Sequence, residues 1–431
     1  MPARLTRDSK INLDIELSFK TVNIYSNFTR ANMTVSNNTV IKRALSNYQN
    51  GYSLDQIFYA NSDIYQHELD KIFMQNWLFA GHTSQIPNIG DFFTLDIANE
   101  SVIIVKTSDC EIKAHMNVCR HRGSRLCLEK SGSKKIFTCP YHAWGYDLEG
   151  KLVAARFMAD DFDADRHSLH AVHLECVGGL IFVSLAVKPL SISDMRENLD
   201  DIFDLFGFNH LKLAAKKSYN IAANWKLAVE NYQECYHCAP SHKEFAAIHA
   251  MSRPPEEFEA LKASFKDETK RSHSEYNYYF DYAQEGQEGY QYGRNPLLPG
   301  NVTGSRKGKP VAPLLGNIKH YDGGASEFML GPVNFFLLYD DHIVGYRFAP
   351  VTIDSCVCEI FWFVHEDAVE GHDYDVEALT WLWDVTTQAD KEIIMNNQLG
   401  VNSRFYKPGR LSEMESFEQS FIDWYLSVLE S

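Results

Sequence analysis

The stretch CRHRGSRLCLEKSGSKKIFTCPYHAWGYDLEG, residues 119 to 150, contains two short segments that each pair a cysteine with a histidine. Cys119 and His121 form C-x-H, and Cys139 and His142 form C-x-x-H after 17 intervening residues. Two thiolates and two imidazoles suit a single Zn²⁺ or a Rieske [2Fe–2S] cluster with its cysteines on one iron and its histidines on the other. Zinc fingers usually place the cysteine pair first, so the mixed order favours the cluster.

Four regions are expected along the chain. Residues 1–48 are polar and aperiodic and are predicted to be a leader that need not be ordered. Residues 49–77 follow a helical pattern, and residues 78–187 contain short β-rich runs between turns, which predicts a small all-β domain. Residues 188–431 mix helices and strands, which predicts an α+β domain. Within it, residues 251–312 are polar and rich in tyrosine, and we expect a lid or a partly disordered segment there.

Composition excludes several classes of function. The chain has 431 residues, 41 Lys and Arg against 57 Asp and Glu, and a formal charge of −16. Such a chain repels polyphosphate, so no nucleic-acid partner is expected. No long apolar run or signal core is visible, which predicts no membrane span and a cytoplasmic location. The pair Cys235 and Cys238 forms C-x-x-C, but no second thiol pair follows nearby, so we predict that both are bystanders.

A second motif is NWKLAVENYQECYHCAPSHKEF, residues 224 to 245. His237 and His242 are five residues apart, which on a straight helix separates them by about 140°. Pro240 disfavours helix at the residue before it, so the helix is predicted to end near His237 and to let both rings face one point. The alternative, two unconnected histidines, stays open at this stage.

Two histidines and one carboxylate form the facial triad of non-haem Fe(II) oxygenases. A long helix is predicted from about Val376, with an apolar stripe of Leu379, Leu382, Thr386, Ala389 and Ile393. On a helical wheel Asp390 lies roughly 65° from the centre of this stripe, whereas Asp384 lies on the opposite face. Asp390 is therefore the acid best placed to face inward, although a solvated surface aspartate is an equally open interpretation.

The combination of C-x-H-x17-C-x2-H with E-N-x-x-E-x-Y-H-x4-H resembles the oxygenase component of Rieske non-haem iron oxygenases, the ring-hydroxylating oxygenase alpha-subunit superfamily. The resemblance covers roughly residues 52–428. It implies an α+β fold in which an all-β Rieske [2Fe–2S] domain precedes a helix-grip catalytic domain, an antiparallel sheet with helices. It also implies that His237, His242 and Asp390 bind a mononuclear Fe²⁺.

The same resemblance implies roles for two further residues. Glu234 occupies the position of a bridging acid, usually aspartate in the superfamily, and is expected to share a helix face with His237. In the superfamily this acid links the Rieske cluster of one protomer to the iron of its neighbour, which implies a homotrimer. Asn231 matches a position near the iron.

Within the superfamily, GYSLDQIFY, CRHRGSRLCLE, DAVEGHDYD, NQLGVNS and FIDWYL resemble the glycine betaine monooxygenase subgroup of quaternary-amine demethylases. This implies O₂-dependent hydroxylation of an N-methyl group of glycine betaine or a related betaine, with release of formaldehyde and a demethylated amine. A separate flavin and [2Fe–2S] reductase would supply electrons from NAD(P)H. The alternative is a Rieske oxygenase that acts on an aromatic ring. Four aromatic residues on strands could wall a pocket, but such residues are more often part of a core: Phe335, Phe336, Tyr339 and Tyr346.

Overall fold

The structure, a computed structural model, describes residues 39–272, 279–281 and 287–431. Residues 1–38 of the predicted leader lie outside this part. Residues 39–47 form a helix, α1, whose Ile41 and Ala44 are buried in the main core. None of the helices in the described part is both long and apolar enough to cross a lipid bilayer.

Ten strands form the β domain that follows the N-terminal helices. Seven of the strands form an antiparallel sheet in the order β1-β10-β9-β4-β3-β2-β5, and three form a small sheet in the order β6-β7-β8. This confirms the predicted all-β domain. The N-terminal helices and the strands are α2 (Gln56–Ala60), α3 (Ser62–Glu68), β1 (Leu78–His82), β2 (Asp91–Ile97), β3 (Glu100–Ser108), β4 (Glu111–Met116), β5 (Ser131–Ser133), β6 (Phe137–Thr138), β7 (Gly145–Tyr146), β8 (Leu152–Ala154), β9 (Ala171–Val177) and β10 (Leu180–Ser184).

The C-terminal domain is built on a second seven-stranded antiparallel sheet, in the order β11-β17-β16-β15-β14-β13-β12. Helices pack against it, so the predicted α+β class is confirmed. The elements are α4 (Ser193–Leu205), β11 (Leu211–Ile221), α5 (Trp225–Gln233), α6 (Cys238–Ser241), α7 (Lys243–Ala246), α8 (Pro255–Ser272), β12 (Tyr279–Asp281), β13 (Tyr290–Pro296), β14 (Gly324–Leu330), β15 (Asn334–Leu338), β16 (Ile343–Thr352), β17 (Ser355–His365), α9 (Val376–Val401) and α10 (Ser416–Glu430).

The described part of the segment 251–312 contains regular structure. It includes the helix α8 and the strand β13, which pairs along its whole length with β14. The strand gains its stability from neighbouring strands rather than from its own periodicity, so composition alone did not reveal it. The expectation of a lid or a partly disordered segment stays a prediction.

A buried polar cluster fixes α5, the helix that leads to the second motif. Lys226 Nζ lies 2.6 Å from Glu68 Oε1, and both side chains are fully buried. Trp225 Nε1–H donates to Glu68 Oε2 at 2.8 Å, and the Tyr425 hydroxyl donates to Glu68 Oε1. Burial lowers the pKa of Lys226, although the Glu68 carboxylate opposes this shift. Because an unpaired charge would be costly here, the cluster holds α3, α5 and α10 in one arrangement.

Candidate active site

The two Cys–His loops of the β domain have the same backbone pattern. The Gly123 N–H donates to the Cys119 carbonyl and the Ala143 N–H to the Cys139 carbonyl, both at 3.0 Å. Gly123 and Ala143, each four residues after its cysteine, adopt positive φ angles of 77° and 56°. Each loop therefore turns back tightly, which brings the cysteine and the histidine of that loop to one side.

The loops place thiols inside and imidazoles outside. Cys119 and Cys139 are buried, and the Tyr146 hydroxyl lies 3.3 Å from Cys119 Sγ. The rings of His121 and His142 are exposed, with centroids 4.7 Å apart. Although burial opposes it, backbone N–H groups lower the pKa of the Cys139 thiol. Paired thiolates within and paired imidazoles at the surface fit the donor set of a Rieske [2Fe–2S] cluster.

In the second motif the helix ends earlier than predicted. The last residue of α5 is Gln233, and Glu234 is extended with φ −125° and ψ 153°. Pro240 lies inside the short helix α6, so the prediction that it ends the helix was wrong. A proline is tolerated in the first turn of a helix, where the N–H groups have no intrahelical partner. His237 precedes α6, and His242 lies between α6 and α7 with φ −127° and ψ 76°.

These backbone breaks bring three predicted residues together. Asp390 Oδ1 lies 2.7 Å from His242 Nε2 and 3.3 Å from His237 Nε2. One ligand atom from each residue lies within 4.8 Å of the other two. Within the described ranges, no other group of three His, Cys, Asp or Glu side chains meets this distance. Asp390 is carried by α9, which packs against α5 and β11.

The charges at this point suit a divalent cation. Burial opposes ionisation of Asp390, but the two imidazoles hold its pKa below the usual range. Burial also opposes protonation of His237, yet the carboxylates of Asp390 and Glu234 raise its pKa to about 9. A metal ion satisfies the same negative charge without those protons, and two imidazoles with one carboxylate are typical ligands of non-haem Fe(II).

Glu234 and Asn231 surround His237. The Glu234 carboxylate accepts the His237 backbone N–H at 3.1 Å and contacts Nδ1 of its ring. Asn231 Nδ2 lies 3.4 Å from His237 Nε2. Glu234 is outside the helix, so the expectation that it shares a helix face with His237 was wrong. Because the Glu234 carboxylate contacts Nδ1 of the His237 ring, the other ring nitrogen, Nε2, can face the position of the metal.

Three other residues that the sequence singled out do not belong to the triad. Cys235 and Cys238 are joined in a disulfide that flanks His237, and neither belongs to the group of three. Asp384 lies away from the triad, as predicted. Its carboxylate accepts from the Tyr219 hydroxyl at 2.5 Å and pairs with Lys217 at 2.7 Å, so it ties α9 to β11.

A cavity of about 380 Å³ opens onto the triad between α5, α7, α8 and the sheet. Of the four strand aromatics, Phe335 and Phe336 line it, whereas Tyr339 and Tyr346 are buried in the core. Sequence reasoning missed Glu327, which also lines the cavity. Its signal was a single acid within the otherwise uncharged strand GASEFML.

Comparison with known protein families identifies the class of protein to which this chain belongs. Residues 208–431 match the family model described as ring hydroxylating alpha subunit (catalytic domain), and residues 76–176 match the Rieske [2Fe-2S] domain. The chain belongs to the ring-hydroxylating oxygenase alpha-subunit family of Rieske non-haem iron oxygenases. It is an oxygenase with a Rieske [2Fe–2S] cluster and a mononuclear iron, which decides against the zinc alternative.

The similarity extends to individual proteins within this family. The chain is 35% identical over 387 residues to the glycine betaine monooxygenase oxygenase subunit of Pseudomonas aeruginosa, covering 88% of this chain and 90% of that protein. It is 35% identical over 205 residues to the carnitine monooxygenase oxygenase subunit of Escherichia coli K12, covering 47% and 55%. A solved quaternary ammonium Rieske monooxygenase shares the fold, with a TM-score of 0.68 at 24% identity, covering 90% of this chain and 97% of that one.

Proposed function

We propose that this chain is the oxygenase component of a Rieske monooxygenase that hydroxylates an N-methyl group of a quaternary amine. Glycine betaine or a related betaine is the proposed substrate, and the products are formaldehyde and the demethylated amine. The observation that carries the proposal is a cavity at the triad that combines aromatic walls with carboxylates, among them Glu327. The likeness to glycine betaine and carnitine monooxygenase subunits supports the same substrate class.

The cavity chemistry suits a cation that cannot donate hydrogen bonds. A quaternary ammonium is stabilised by aromatic faces and by negative charge. The Tyr232 and Phe335 rings lie with centroids 4.3 Å apart, and both line the cavity together with Trp383. Glu327 provides a carboxylate among them. An aromatic hydrocarbon would gain nothing from that carboxylate and would leave it buried without a partner.

The proposal gives each predicted site residue a role. When bound, the cluster and the mononuclear iron supply electrons and activate O₂. In this proposal the four cluster ligands are Cys119, His121, Cys139 and His142, and the three iron ligands are His237, His242 and Asp390. The protein fixes the distance between the N-methyl carbon and the oxidant, while the apolar walls exclude water.

The reaction balances with one O₂, two electrons and two protons. One oxygen atom enters the N-methyl C–H bond and the other leaves as water. The resulting hemiaminal breaks its C–N bond, and its hydroxyl proton leaves as formaldehyde forms and the amine becomes tertiary. The electrons come from a separate NAD(P)H-dependent reductase with flavin and [2Fe–2S] centres.

We assign two roles to Glu234. Its contact with Nδ1 orients the His237 ring, and its carboxylate connects the iron site to the Rieske cluster of a neighbouring protomer in a homotrimer. Asn231 lies beside Nε2 of His237 and therefore next to the proposed metal position. A cytoplasmic location, which the sequence predicts, completes the proposal.

The test is formaldehyde release by purified, iron-replete protein with a flavin reductase, NADH and O₂. The panel contains glycine betaine, proline betaine, carnitine and choline, with naphthalene as the aromatic comparator. We expect formaldehyde from a betaine in step with NADH consumption. A hydroxylated aromatic product without formaldehyde from any quaternary amine would replace the proposal with the ring-hydroxylating alternative.

A further inference from the structure

Glu327 lies on the face of the sheet that forms the floor of the cavity. Side chains of a strand alternate between faces, and Ala325, Glu327 and Met329 all line the cavity. Their partners on β15 include Leu337, opposite Glu327, and Phe335, opposite Met329, and both also line it. The carboxylate thus stands beside the apolar side chains of Ala325, Met329 and Leu337 and faces the cavity, whose wall also carries Arg253 and Lys262.

Within the described residues, Glu327 forms no hydrogen bond or ion pair, and the only charge that acts on it is the ammonium of Lys262 on α8. Burial raises the pKa of Glu327 to about 7. After burial, the charge of Glu327 is the largest influence that raises the pKa of Tyr232 on α5, so the carboxylate lies near that ring. By contrast, the buried Glu68 has three donors.

We propose that Glu327 is a specificity-determining residue, whose carboxylate faces the quaternary ammonium head of the substrate while the rings of Tyr232 and Phe335 enclose its methyl groups. The inference rests on the proposed function and extends it by naming the residue that selects a cation. A desolvated carboxylate without a hydrogen-bond donor is unfavourable, and a cationic ligand lowers that cost. An uncharged ligand of the same shape leaves the cost in place.

The experiment compares choline with 3,3-dimethylbutan-1-ol, its uncharged carbon isostere, by calorimetric titration of the iron-replete protein. Choline carries the trimethylammonium head that the candidate betaines share. We expect the wild-type protein to prefer choline by about tenfold or more, because an opposite charge at short range acts strongly in a low dielectric. Glu327→Gln should remove most of this preference, and Glu327→Asp should retain part of it.

Glu256→Gln is the matched control, because Glu256 is exposed at the start of α8 and does not line the cavity. It removes the same formal charge and should leave the preference unchanged. The Rieske absorption spectrum and the iron content report whether each variant is folded. A purely structural role for Glu327 would lower stability without changing the choline-to-isostere ratio.

The outcomes separate the two proposals. A wild-type protein without preference, or a Glu327→Gln variant that keeps it, overturns the assignment of Glu327. If a betaine still yields formaldehyde in that case, the proposed function stands without this residue. If no quaternary amine yields formaldehyde and choline is not preferred, both proposals fall.

Discussion

The two candidate metal centres of this chain are built in opposite ways. The proposed cluster ligands come from two short loops, each of which turns back through one local hydrogen bond and a left-handed residue, Gly123 or Ala143. The proposed iron ligands come from a loop after α5 and from a helix, with Asp390 148 residues further along the chain than His242. A centre made by local turns is visible in sequence spacing, whereas a centre made by packing depends on the whole domain.

The largest expected effect is the separate loss of each metal. His237→Ala should lose the mononuclear iron and show no measurable turnover, yet keep the Rieske spectrum, because the β domain does not depend on that ligand. Cys139→Ser should lose the Rieske spectrum and keep the mononuclear iron. Iron analysis with absorption and electron paramagnetic resonance spectra checks both. A variant that loses both metals would contradict the independence of the two centres.

A second prediction tests the dependence of the iron centre on distant packing. Lys226→Met leaves the Glu68 carboxylate buried without its counter-charge, although the donors from Trp225 and Tyr425 remain, and this should cost about 3 kcal/mol of the free energy of unfolding. Because α5 leads to His237, the mononuclear iron should be lost on mild heating while the Rieske spectrum persists. The double variant Lys226→Met/Glu68→Leu is the control and should recover most of the stability. Equal loss of both metals in the single variant would contradict the contrast between the centres.

A third prediction concerns the connection between the centres. Glu234→Gln keeps the size of the side chain but removes its charge beside His237. We expect both metals to bind, and product formation to slow by about 10- to 100-fold, as for other side chains that orient a metal ligand. Single-turnover kinetics of Rieske oxidation and formaldehyde formation measure this. Unchanged, tightly coupled turnover would remove Glu234 from the proposed link.

The fourth prediction concerns Glu288, a residue of the C-terminal domain that contacts the segment leading into the β domain. Glu288 is buried, its Oε2 accepts the Trp77 N–H at 3.3 Å, and burial raises its pKa to about 8. A carboxyl whose folded pKa exceeds its unfolded value of 4.5 contributes stability below pH 4.5 that is lost as pH rises through 8. Glu288→Gln cannot ionise, so its stability relative to wild type should increase by about 3–4 kcal/mol between pH 5 and pH 8. Thermal unfolding at the two pH values checks this, and a pH-independent difference would contradict it.

The smallest effect separates two acids on one helix. Asp384→Ala should cost about 1 kcal/mol, because it breaks the partly exposed contacts with Tyr219 and Lys217, and it should keep the iron. Asp390→Ala should lose the iron. Urea unfolding and iron content distinguish them, and the reverse pattern would reassign the third ligand.

Sequence analysis predicted the class of fold and the side chains that lie together at each centre. It predicted the wrong end for the helix of the second motif. It expected Pro240 to end the helix, whereas α5 ends at Gln233 and Pro240 lies inside the next short helix, α6. Helix ends depend on which carbonyl and N–H groups find partners, and here the Glu234 carboxylate satisfies two N–H groups of the loop, those of Tyr236 and His237. Those partners are set by the folded loop rather than by residue preferences.

The sequence by itself determined the β domain, the mixed class of the second domain and the Cys–His spacing, because local turns and strand patterns depend on neighbours in the chain. Only the tertiary structure brought Asp390 to within 2.7 Å of His242 and placed Glu327 on the cavity floor. The face on which a strand residue lies is decided by the register of pairing with its neighbours. The role of Glu327, a single acid among uncharged residues, can therefore be inferred only after the sheet and the helices above it have enclosed a cavity.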